Sequence, residues 1–363
     1  MAQAVGLASM LPVDEDMEMT ESGTENAAEV LHRSVFFNVS IDDVTKLLSG
    51  AFRDTGSGEV ANFTSAQLRE FSLDFKDRIG PFHFGAVYRG NINGKTPGSV
   101  LLKIWDDYYA IYLETRENPN IFIDEEAMFL KDKAIASHPS FPKVIGKCCS
   151  ENLRGVVYDL DPLDSLQNMM PKNSFGWAQR IRVAVKLAQL LEFLHCQENP
   201  YVVLNLSAQH IMLDHMLNPV LIDFGLLSGG VIGELSFIKK RVALPQGYGD
   251  PDYVMGAPLH PCCDVYVYGM ILVGIIAKRI VKEEDLDRYA PALDFWAEKE
   301  YKSGVPLVHK SLESEWGFHA TDASSLTELA MWSMRAYGAD RPTMTQVVDH
   351  LKKLQIVKDL VIV

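Results

Sequence analysis

The segment Tyr201–Gly225 contains the polar residues whose types and spacing could do chemistry. Two short apolar strands are predicted in it, on either side of a turn at His215–Pro219. An Asp-Phe-Gly sequence beginning at Asp223 follows the second strand, and Asn205, Ser207 and His210 precede the first. The carboxylate of Asp223 suits a hard metal ion, whereas the amide of Asn205 cannot accept a proton as a general base. The segment therefore offers one potential metal ligand, Asp223, and at Asn205 an amide that cannot act as a base.

This layout resembles the catalytic loop of a protein kinase, whose pattern His-Arg-Asp-Leu-Lys-Pro-X-Asn falls on residues 203–210. Asn205 then occupies the position of the catalytic aspartate. Ser207 occupies the position of the lysine that supplies a cation, and His210 that of the metal-binding asparagine. Asp223 matches the aspartate that holds the metal ion. The resemblance therefore implies a kinase fold and argues against efficient phosphoryl transfer.

Composition and charge are those of a globular protein with an acidic balance. The chain has 363 residues, 47% of them hydrophobic, and a formal net charge of -14. Nonspecific binding of the whole chain to nucleic acid phosphates is not expected at this charge. The longest apolar run, Val265–Ala277, is shorter than the ~20 residues of a membrane span. We predict that run to be a buried helix.

The five cysteines are Cys148, Cys149, Cys196, Cys262 and Cys263. Their odd number and the absence of a Cys-X-X-Cys spacing indicate a reducing, cytoplasmic location. The two adjacent pairs are either buried thiols or metal ligands, and we favour buried thiols because neighbouring side chains diverge.

The chain order predicts an α+β, bilobal, protein-kinase-like fold. Residues 1–27 are expected to be a disordered acidic lead, and residues 28–70 a helical extension with a helix capped by Thr64 or Ser65. The kinase-like domain spans residues 71–355, with an N-lobe at 71–160 and a C-lobe at 161–355. Residues 356–363 are assigned to a C-terminal tail.

The N-lobe begins with a degenerate glycine-rich loop. Ile79, Gly80, Gly85 and Val87 match the family pattern that covers the nucleotide, but the middle glycine is Phe82. Either the loop stands away from the phosphates, or the ring of Phe82 fills their space.

Lys103 matches the family lysine that pairs the nucleotide phosphates with a glutamate on a helix. A helix is predicted over Asp124–Lys133, with Glu126 favoured over Glu125 as that partner. ATP with Mg or Mn is the candidate cofactor. Tyr108, Tyr109 and Tyr112 precede this helix and belong either to a packed surface loop or to a partner-binding segment.

Three further residues resemble the architectural residues of kinases. Asp264 matches the aspartate that caps the backbone of the catalytic loop, and Arg341 matches the arginine that pairs with a glutamate of the Ala-Pro-Glu motif. In this sequence Asp252 occupies the position of that glutamate, and it is expected to pair with Arg341.

These motifs resemble the receptor-like cytoplasmic kinases of plants, in a degenerate form. The resemblance implies a pseudokinase that acts as a scaffold, adaptor or decoy in plant immune signalling and binds an active kinase, an immune receptor or a pathogen effector. Direct membrane insertion is not expected, although a partner can recruit the chain to the plasma membrane. The alternatives are a weakly active ATP-dependent serine/threonine kinase and a purely structural protein with a filled cleft.

The segment Leu226–Gly249, here called the activation segment, contains Ser228 and Ser236 near three basic residues, Lys239, Lys240 and Arg241. A phosphate on either serine would pair with this basic cluster and order the segment. An unregulated flexible loop is the competing interpretation.

Overall fold

Six strands between Ala61 and Asp159 form the sheet of the N-lobe among the described residues. The computed structural model of the protein describes residues 60–82, 84–92, 99–106, 120–234, 245, 247–281 and 293–362. The strands are β1 (Ala61–Asn62), β2 (Arg78–Phe82), β3 (Gly85–Asn91), β4 (Ser99–Trp105), β5 (Lys143–Ser150) and β6 (Leu153–Asp159). They follow the spatial order β1-β5-β6-β4-β3-β2, and only the β1–β5 pair is parallel.

The end of the N-terminal extension is built into this sheet. Strand β1 pairs with β5, and helix α1 (Ser65–Phe71) follows it. Thr64 is the N-cap and forms a capping box with Gln67, which explains where the helix starts. Leu68 is fully buried against β4, β5 and β6. The extension therefore contributes a strand and a packed helix, and the strand was not predicted.

The described residues between β4 and β5 include two helices. They are α2 (Ile121–Lys131) and α3 (Lys133–Ala136). Asp132 separates them because its extended backbone ends α2, while its side chain accepts the N–H groups of Ala134 and Ile135. Helix α2 was predicted to start at Asp124, but it starts three residues earlier, at Ile121. Tyr108, Tyr109 and Tyr112 lie outside the described residues.

The C-lobe is mainly helical, as predicted. Its elements are β7 (Asp164–Ser165), α4 (Leu166–Met169), α5 (Trp177–His195), β8 (Val202–Val203), β9 (Ile211–Leu213), β10 (Pro219–Leu221), β11 (Leu227–Ser228), α6 (Pro251–Val254), α7 (Cys262–Ala277), α8 (Leu293–Lys302), α9 (Ala320–Ser333), α10 (Met344–Leu351) and α11 (Gln355–Ile362). The predicted hairpin is β9–β10, and the predicted buried run lies in α7, which is buried from Cys263 to Ala277. Residues 356–362, predicted as a tail, belong to α11. None of the helices in the described part of the chain has the length and hydropathy that a bilayer crossing requires.

A buried arginine links the helices at the centre of the C-lobe. Arg180, on α5, is fully buried and donates to the carbonyl oxygens of Phe175, Met170, Lys172 and Ile275 at 2.6–3.0 Å. The carbonyls of Met170 and Ile275 lie at the C-terminal ends of α4 and α7, where intrahelical donors run out, and that of Phe175 lies just before α5. Burial lowers the pKa of Arg180 to about 10, so the guanidinium keeps its charge at neutral pH.

Only one thiol of each adjacent cysteine pair is buried. Cys148 and Cys263 are buried, Cys149 is exposed and Cys262 is half-buried. The prediction of two buried pairs is therefore wrong. In β5 the reason is geometric, because successive side chains of a strand point to opposite faces.

The predicted pair between Arg341 and Asp252 is wrong. Arg341 instead forms a bidentate ion pair with Asp250, through NH1 to Oδ2 at 2.8 Å and NH2 to Oδ1 at 2.7 Å. Asp252 accepts the N–H of Gly338 at 2.7 Å. Asp250 is the extended N-cap residue of α6, so its carboxylate is available to Arg341 beside the helix start. These contacts, here called the anchor, hold α6 on the C-lobe.

A strained turn connects α1 to β2. Leu73, Asp74 and Phe75 have φ values of 50°, 58° and 61°, all in the left-handed region. That conformation costs about 1–2 kcal/mol for each non-glycine residue. Ser72 stabilises the turn because its Oγ accepts the N–H of Phe75 at 2.9 Å.

We expect Leu73→Gly to raise the free energy of unfolding by up to about 1 kcal/mol, since the relief of strain exceeds the added entropy of the unfolded chain. Leu73 is 75% exposed, so little packing is lost. Met128→Gly, at an exposed position within α2, is the control and should lower the free energy of unfolding by about 1 kcal/mol. Urea denaturation measures both, and equal losses would contradict the assignment of strain.

The anchor gives a matched pair of variants. Asp250→Asn should lower the free energy of unfolding by about 3 kcal/mol, because the buried Arg341 loses its carboxylate partner. Asp252→Asn makes the same charge change but keeps an acceptor for Gly338, so a loss below about 1 kcal/mol is expected. Thermal denaturation of both variants checks this order, and the reverse order would restore Asp252 as the partner of Arg341.

Candidate functional site

Three charged side chains meet where the sheet of the N-lobe approaches the catalytic loop. The Nζ of Lys103, on β4, lies 2.6 Å from Oε2 of Glu126 on α2 and 3.0 Å from Oδ1 of Asp223. Lys103 is 0% exposed, Glu126 1% and Asp223 2%. Burial alone would lower the pKa of Lys103, but the charges of Asp223 and Glu126 outweigh it and raise that pKa. We call these three residues the buried triad.

Two aromatic rings cover the ammonium group of the triad. The ring centroids of Phe82 and Trp105 each lie 4.8 Å from Nζ of Lys103, within cation–π distance. The two rings pack edge to face, with centroids 5.3 Å apart. The sequence left open whether the loop stands away from the phosphates or the ring of Phe82 fills their space. In the described structure the ring is 5% exposed and lies over Lys103, so it fills that space.

The other residues of the glycine-rich loop lie within the hairpin formed by β2 and β3. Val87 is fully buried and Ile79 nearly so, and Ile79 accepts the side-chain amide of Asn168 at 3.0 Å. A Cβ at Gly85 would lie 2.0 Å from the carbonyl oxygen of Ile104, so the strand pairing itself requires a glycine there. A Cβ at Gly80 would meet nothing within 4 Å. Packing thus explains Gly85, while Gly80 is free of such a constraint.

His210 lies beside the carboxylate expected to hold the metal ion. Its Nδ1 lies 2.6 Å from the carbonyl oxygen of Asn205 and 3.5 Å from Oδ2 of Asp223. A carbonyl oxygen only accepts, so Nδ1 carries the proton. Burial lowers the pKa of His210, against the opposing charge of Asp223, and the ring is therefore neutral at pH 7.

Asn205 and Ser207 are buried polar residues whose side chains lack partners. Neither amide atom of Asn205 nor the hydroxyl of Ser207 has a hydrogen-bond partner among the described residues. The amide lies near the Asp-Phe-Gly turn, since a Cβ at Gly225 would be 3.8 Å from Nδ2 of Asn205 and 3.4 Å from Oδ1 of Asp223. Each buried unsatisfied group costs about 1–3 kcal/mol.

Asp264 holds the backbone that leads into the catalytic loop. Its Oδ2 accepts the N–H of Val203 at 2.8 Å and lies 2.9 Å from Nε2 of His195. The first contact is the one expected of this residue by resemblance. The second was not predicted, and it places a histidine from the end of α5 at the same carboxylate.

The activation segment is described only in part. Ser228, in β11, donates its hydroxyl to the carbonyl oxygen of Gly233 at 3.2 Å and is half-buried. Tyr248 is buried, and its hydroxyl bonds to the backbone of Ala208 in the catalytic loop. Ser236 and the basic residues 239–241 lie outside the described residues.

The arrangement of the triad does not fit a nucleotide and a metal ion. Lys103 is surrounded by two carboxylates and two rings, and Asp223 is in contact with Lys103 and His210. No group of three or more His, Cys, Asp or Glu side chains within the described ranges is arranged as a metal site. A phosphate group would have to displace the ring of Phe82 before it reached the ammonium group.

Some residues of the site were missed in the sequence. Tyr158 donates its hydroxyl to Oε1 of Glu126, and Trp105 shares the face of Lys103. Trp105 lies two residues after Lys103, so the period of a strand was a signal for it. Tyr158 comes from β6, two strands later in the chain, and nothing local indicates that contact.

The comparisons with known proteins agree with this geometry. A model of the family "Protein tyrosine and serine/threonine kinase" matches residues 73–351. "Probable serine/threonine-protein kinase PBL16" of Arabidopsis thaliana is 28% identical over 85% of this chain and 76% of the relative. "Serine/threonine-protein kinase PBL13" of the same plant is 29% identical over 89% of this chain and 67% of the relative. "EPD1-interacting receptor-like cytoplasmic serine/threonine-protein kinase 5D" of Gossypium barbadense is 29% identical over 80% and 64%, respectively.

The relatives carry names of serine/threonine kinases, so this chain, if active, is one of that kind. The family generally uses ATP with a divalent metal ion. Since the family match spans more than half of its length, the chain belongs to the family of protein tyrosine and serine/threonine kinases, with receptor-like cytoplasmic kinases of plants among its relatives.

Proposed function

We propose that this chain is a catalytically impaired member of its family, a pseudokinase whose folded lobes serve as a scaffold or adaptor for other proteins. The buried triad under Phe82 carries the proposal. Lys103 and Asp223, which would hold the phosphates and the metal ion, are instead bound to each other and sealed from solvent. A closed cleft of this kind needs no nucleotide to keep its shape.

The catalytic loop supports the same proposal. Asn205 cannot accept the proton of an attacking hydroxyl, and a general base contributes typically about 10²–10⁴ in rate. Ser207 supplies no cation to the transferred phosphoryl group. His210 is neutral and donates to a carbonyl, so it is a poor substitute for the amide oxygen that a hard metal ion prefers.

We further propose that the partner is an active kinase, an immune receptor or a pathogen effector, in plant signalling. Two observations support this. Asp264 still bonds the backbone of Val203 and Arg341 still pairs with an aspartate, Asp250, while the positions used only in phosphoryl transfer are altered. Relatives are named as receptor-like cytoplasmic kinases, and one name describes an interaction with another protein. On this proposal the chain is cytoplasmic, and a partner recruits it to the plasma membrane.

A second candidate function is slow phosphoryl transfer to serine or threonine. The contact between Lys103 and Glu126 favours it, since active kinases require that pair. Asp223 is also present as the metal ligand. This candidate requires Phe82 to move and a group other than Asn205 to accept the proton.

Ser228 and Ser236 are proposed as regulatory positions. A phosphate on Ser228 would replace the hydroxyl that donates to Gly233, and its charge would pair with the basic residues 239–241 and order the segment. Both Ser228→Asp and Ser228→Ala lose the hydroxyl, so only the added negative charge differs. Hydrogen exchange over residues 229–234 should therefore be slower in Ser228→Asp than in Ser228→Ala, and equal rates would argue against a switch there.

Phosphate transfer separates the two candidates. The purified chain is incubated with labelled ATP and either magnesium or manganese, beside Asp223→Asn. We expect no label on the chain or on a generic substrate in either sample. Labelling that Asp223→Asn abolishes would overturn the pseudokinase proposal.

Truncation of one ring should create nucleotide binding. Phe82→Ala removes the ring over Lys103, and we expect ATP at ten times its Kd to stabilise this variant by about 1.4 kcal/mol, or about 3–6 °C in Tm. The unaltered chain should show no shift. Phe84→Ala is the matched control, because Phe84 is equally buried in the same hairpin but packs on Phe122.

The double variant Phe82→Ala with Lys103→Ala should lose the shift again if the phosphates bind the lysine. A similar shift for Phe84→Ala would show that loosening the hairpin, rather than uncovering Lys103, admits the ligand. A shift in the unaltered chain would show that the cleft opens by itself.

A further inference from the structure

A groove on the surface of the C-lobe lies between α8, α9 and α10 and shares no residue with the buried triad. We call it the C-lobe groove. Its volume is about 310 Å³, and its lining includes Tyr301, Glu328, Met331, Trp332, Arg335 and His350. Tyr301 is 40% exposed, and Glu328 and Arg335 are exposed as well, so solvent reaches the groove. Small-molecule sites usually bury most of their ligand, whereas an open groove suits a side chain that belongs to another protein.

Trp332, near the end of α9, is held in one orientation. Its Nε1 donates to the carbonyl oxygen of Asp340 at 3.0 Å, and the residue is half-buried. The chain that follows is fixed by Arg341 of the anchor, whose Nε donates to the carbonyl oxygen of Arg335 at 2.7 Å. A wall that is already ordered loses little conformational entropy when a partner binds.

The two aromatic rings of the groove are available to a partner. Within the described ranges, neither Tyr301 nor Trp332 packs on a further ring or on a cation. An aromatic side chain from another molecule can therefore pack edge to face or offset against them. Met331 has a flexible thioether that adapts to the shape of such a group. Tyrosine, tryptophan, methionine and arginine are also residue types that are enriched at protein interfaces.

The guanidinium of Arg335 gives the groove a place for a carboxylate. Arg335 is exposed, and its NH1 makes a long contact of 3.5 Å with the carbonyl oxygen of Asp340. No carboxylate in the described part of the chain pairs with it. The whole chain has a net charge of -14, but the lining contains one acidic side chain, Glu328, beside Arg335 and His350. On an acidic protein, the groove is therefore a favourable place for an acidic segment of a partner.

We propose that the C-lobe groove binds an extended segment of a protein partner. An aromatic side chain of this segment packs on Trp332 and Tyr301, and a carboxylate two residues away pairs with Arg335. The N–H of Arg335 donates to the carbonyl oxygen of Trp332 at 3.4 Å, so the two residues lie one turn apart, with Cβ atoms about 5–6 Å from each other. In an extended segment, side chains two residues apart share a face at about 6–7 Å. The spacing of the two groups on the segment thus matches the spacing in the groove.

Exposed apolar side chains continue this surface beyond the groove. Tyr337 is 70% exposed, and the next residue, Gly338, donates its N–H to Asp252 of α6 at 2.7 Å. At the end of α6, Val254 is 67% exposed and Met255 87%. A folded partner can therefore extend its contact from the groove across α6, as the area of a specific interface requires. The inference rests on the proposed scaffold function, because it names the surface and the chemistry of the partner.

A short peptide tests the groove without nucleotide or phosphate transfer. The full chain, which has five tryptophans, is labelled with 5-fluorotryptophan, and Trp332→Phe identifies the fluorine signal of Trp332. The probe is acetyl-Ser-Phe-Ser-Glu-Ser-amide. We expect it to shift the Trp332 signal with a Kd on the order of 1 mM, since a single anchor enters an open groove. The peptide with alanine in place of phenylalanine should cause no shift. An unchanged Trp332 signal with the phenylalanine peptide would overturn the proposal.

A charge exchange tests the role of Arg335. A second peptide carries lysine in place of glutamate, and the unaltered chain should bind it about fivefold more weakly, because a repulsion between exposed charges replaces an attraction. Arg335→Glu should reverse this preference. Lys133→Glu makes the same charge change at an exposed position of the N-lobe and should keep the original preference. The original preference in Arg335→Glu would contradict the assignment of the carboxylate to this residue.

A pair of variants on α8 tests the rings. Tyr301→Ala should weaken binding of the phenylalanine peptide about fivefold, because one ring of the groove is lost. Phe295→Ala is the matched control, since Phe295 is 62% exposed on the same helix but does not line the groove. Equal effects of the two changes would overturn the placement of the aromatic side chain.

Free 3-phenylpropionate has the ring and the carboxylate without a peptide backbone, and it should bind more weakly than the peptide. Tighter binding of this molecule would overturn the protein partner in favour of a small aromatic acid. The outcomes are independent of the proposed function. Phosphate transfer together with peptide binding would overturn only the pseudokinase proposal, and absence of both would overturn only the groove.

Discussion

The arrangement of the two lobes depends on one buried cation. Lys103 is on the central part of the N-lobe sheet, Glu126 on α2, and Asp223 at the end of the β9–β10 hairpin in the C-lobe. A buried ammonium group without partners is strongly unfavourable, so the three elements are held together by the need to satisfy it. Breaking such a pair typically costs about 3–5 kcal/mol. The lysine thus fixes the position of α2 and of the Asp-Phe-Gly turn at the same time.

One ammonium group between two carboxylates leaves an excess of negative charge in a region sealed from water. Neutral donors offset it. The hydroxyl of Tyr158 bonds Glu126, and the N–H of Gly225 bonds Asp223 at 3.2 Å. The rings of Phe82 and Trp105 add cation–π attraction at Lys103 while they exclude water. These contacts stabilise the triad without a ligand, whereas the side chains of Asn205 and Ser207, at the positions that catalysis would use, have no hydrogen-bond partner among the described residues.

The sequence predicted those parts of the molecule that local patterns determine. Apolar and capping patterns identified the hairpin β9–β10 and helices α1, α2 and α7, and the resemblance to kinases paired Lys103 with Glu126. The predictions that were wrong or left open concern contacts that depend on the three-dimensional direction of a side chain. Asp252 was chosen for Arg341 by its place in a motif, but the pair is formed by Asp250. The carboxylate of this N-cap residue accepts the N–H of Asp252 at the start of the helix and also faces Arg341. The filling of the cleft by Phe82 remained one of two alternatives, since sequence does not fix the direction of a ring.

A closed cleft without a ligand changes how such a domain can bind partners. In a kinase whose closed state is only partly populated, a partner that recognises this state binds with an affinity reduced by the closed fraction. Here the contacts of Lys103 with Glu126 and Asp223 close the cleft, and the ring of Phe82 takes part of the space that a nucleotide would fill. A partner that recognises the closed lobes would bind at nearly its intrinsic affinity, independent of nucleotide supply. On the proposed function, the contacts that close the cleft would thus also favour constitutive binding of a protein partner.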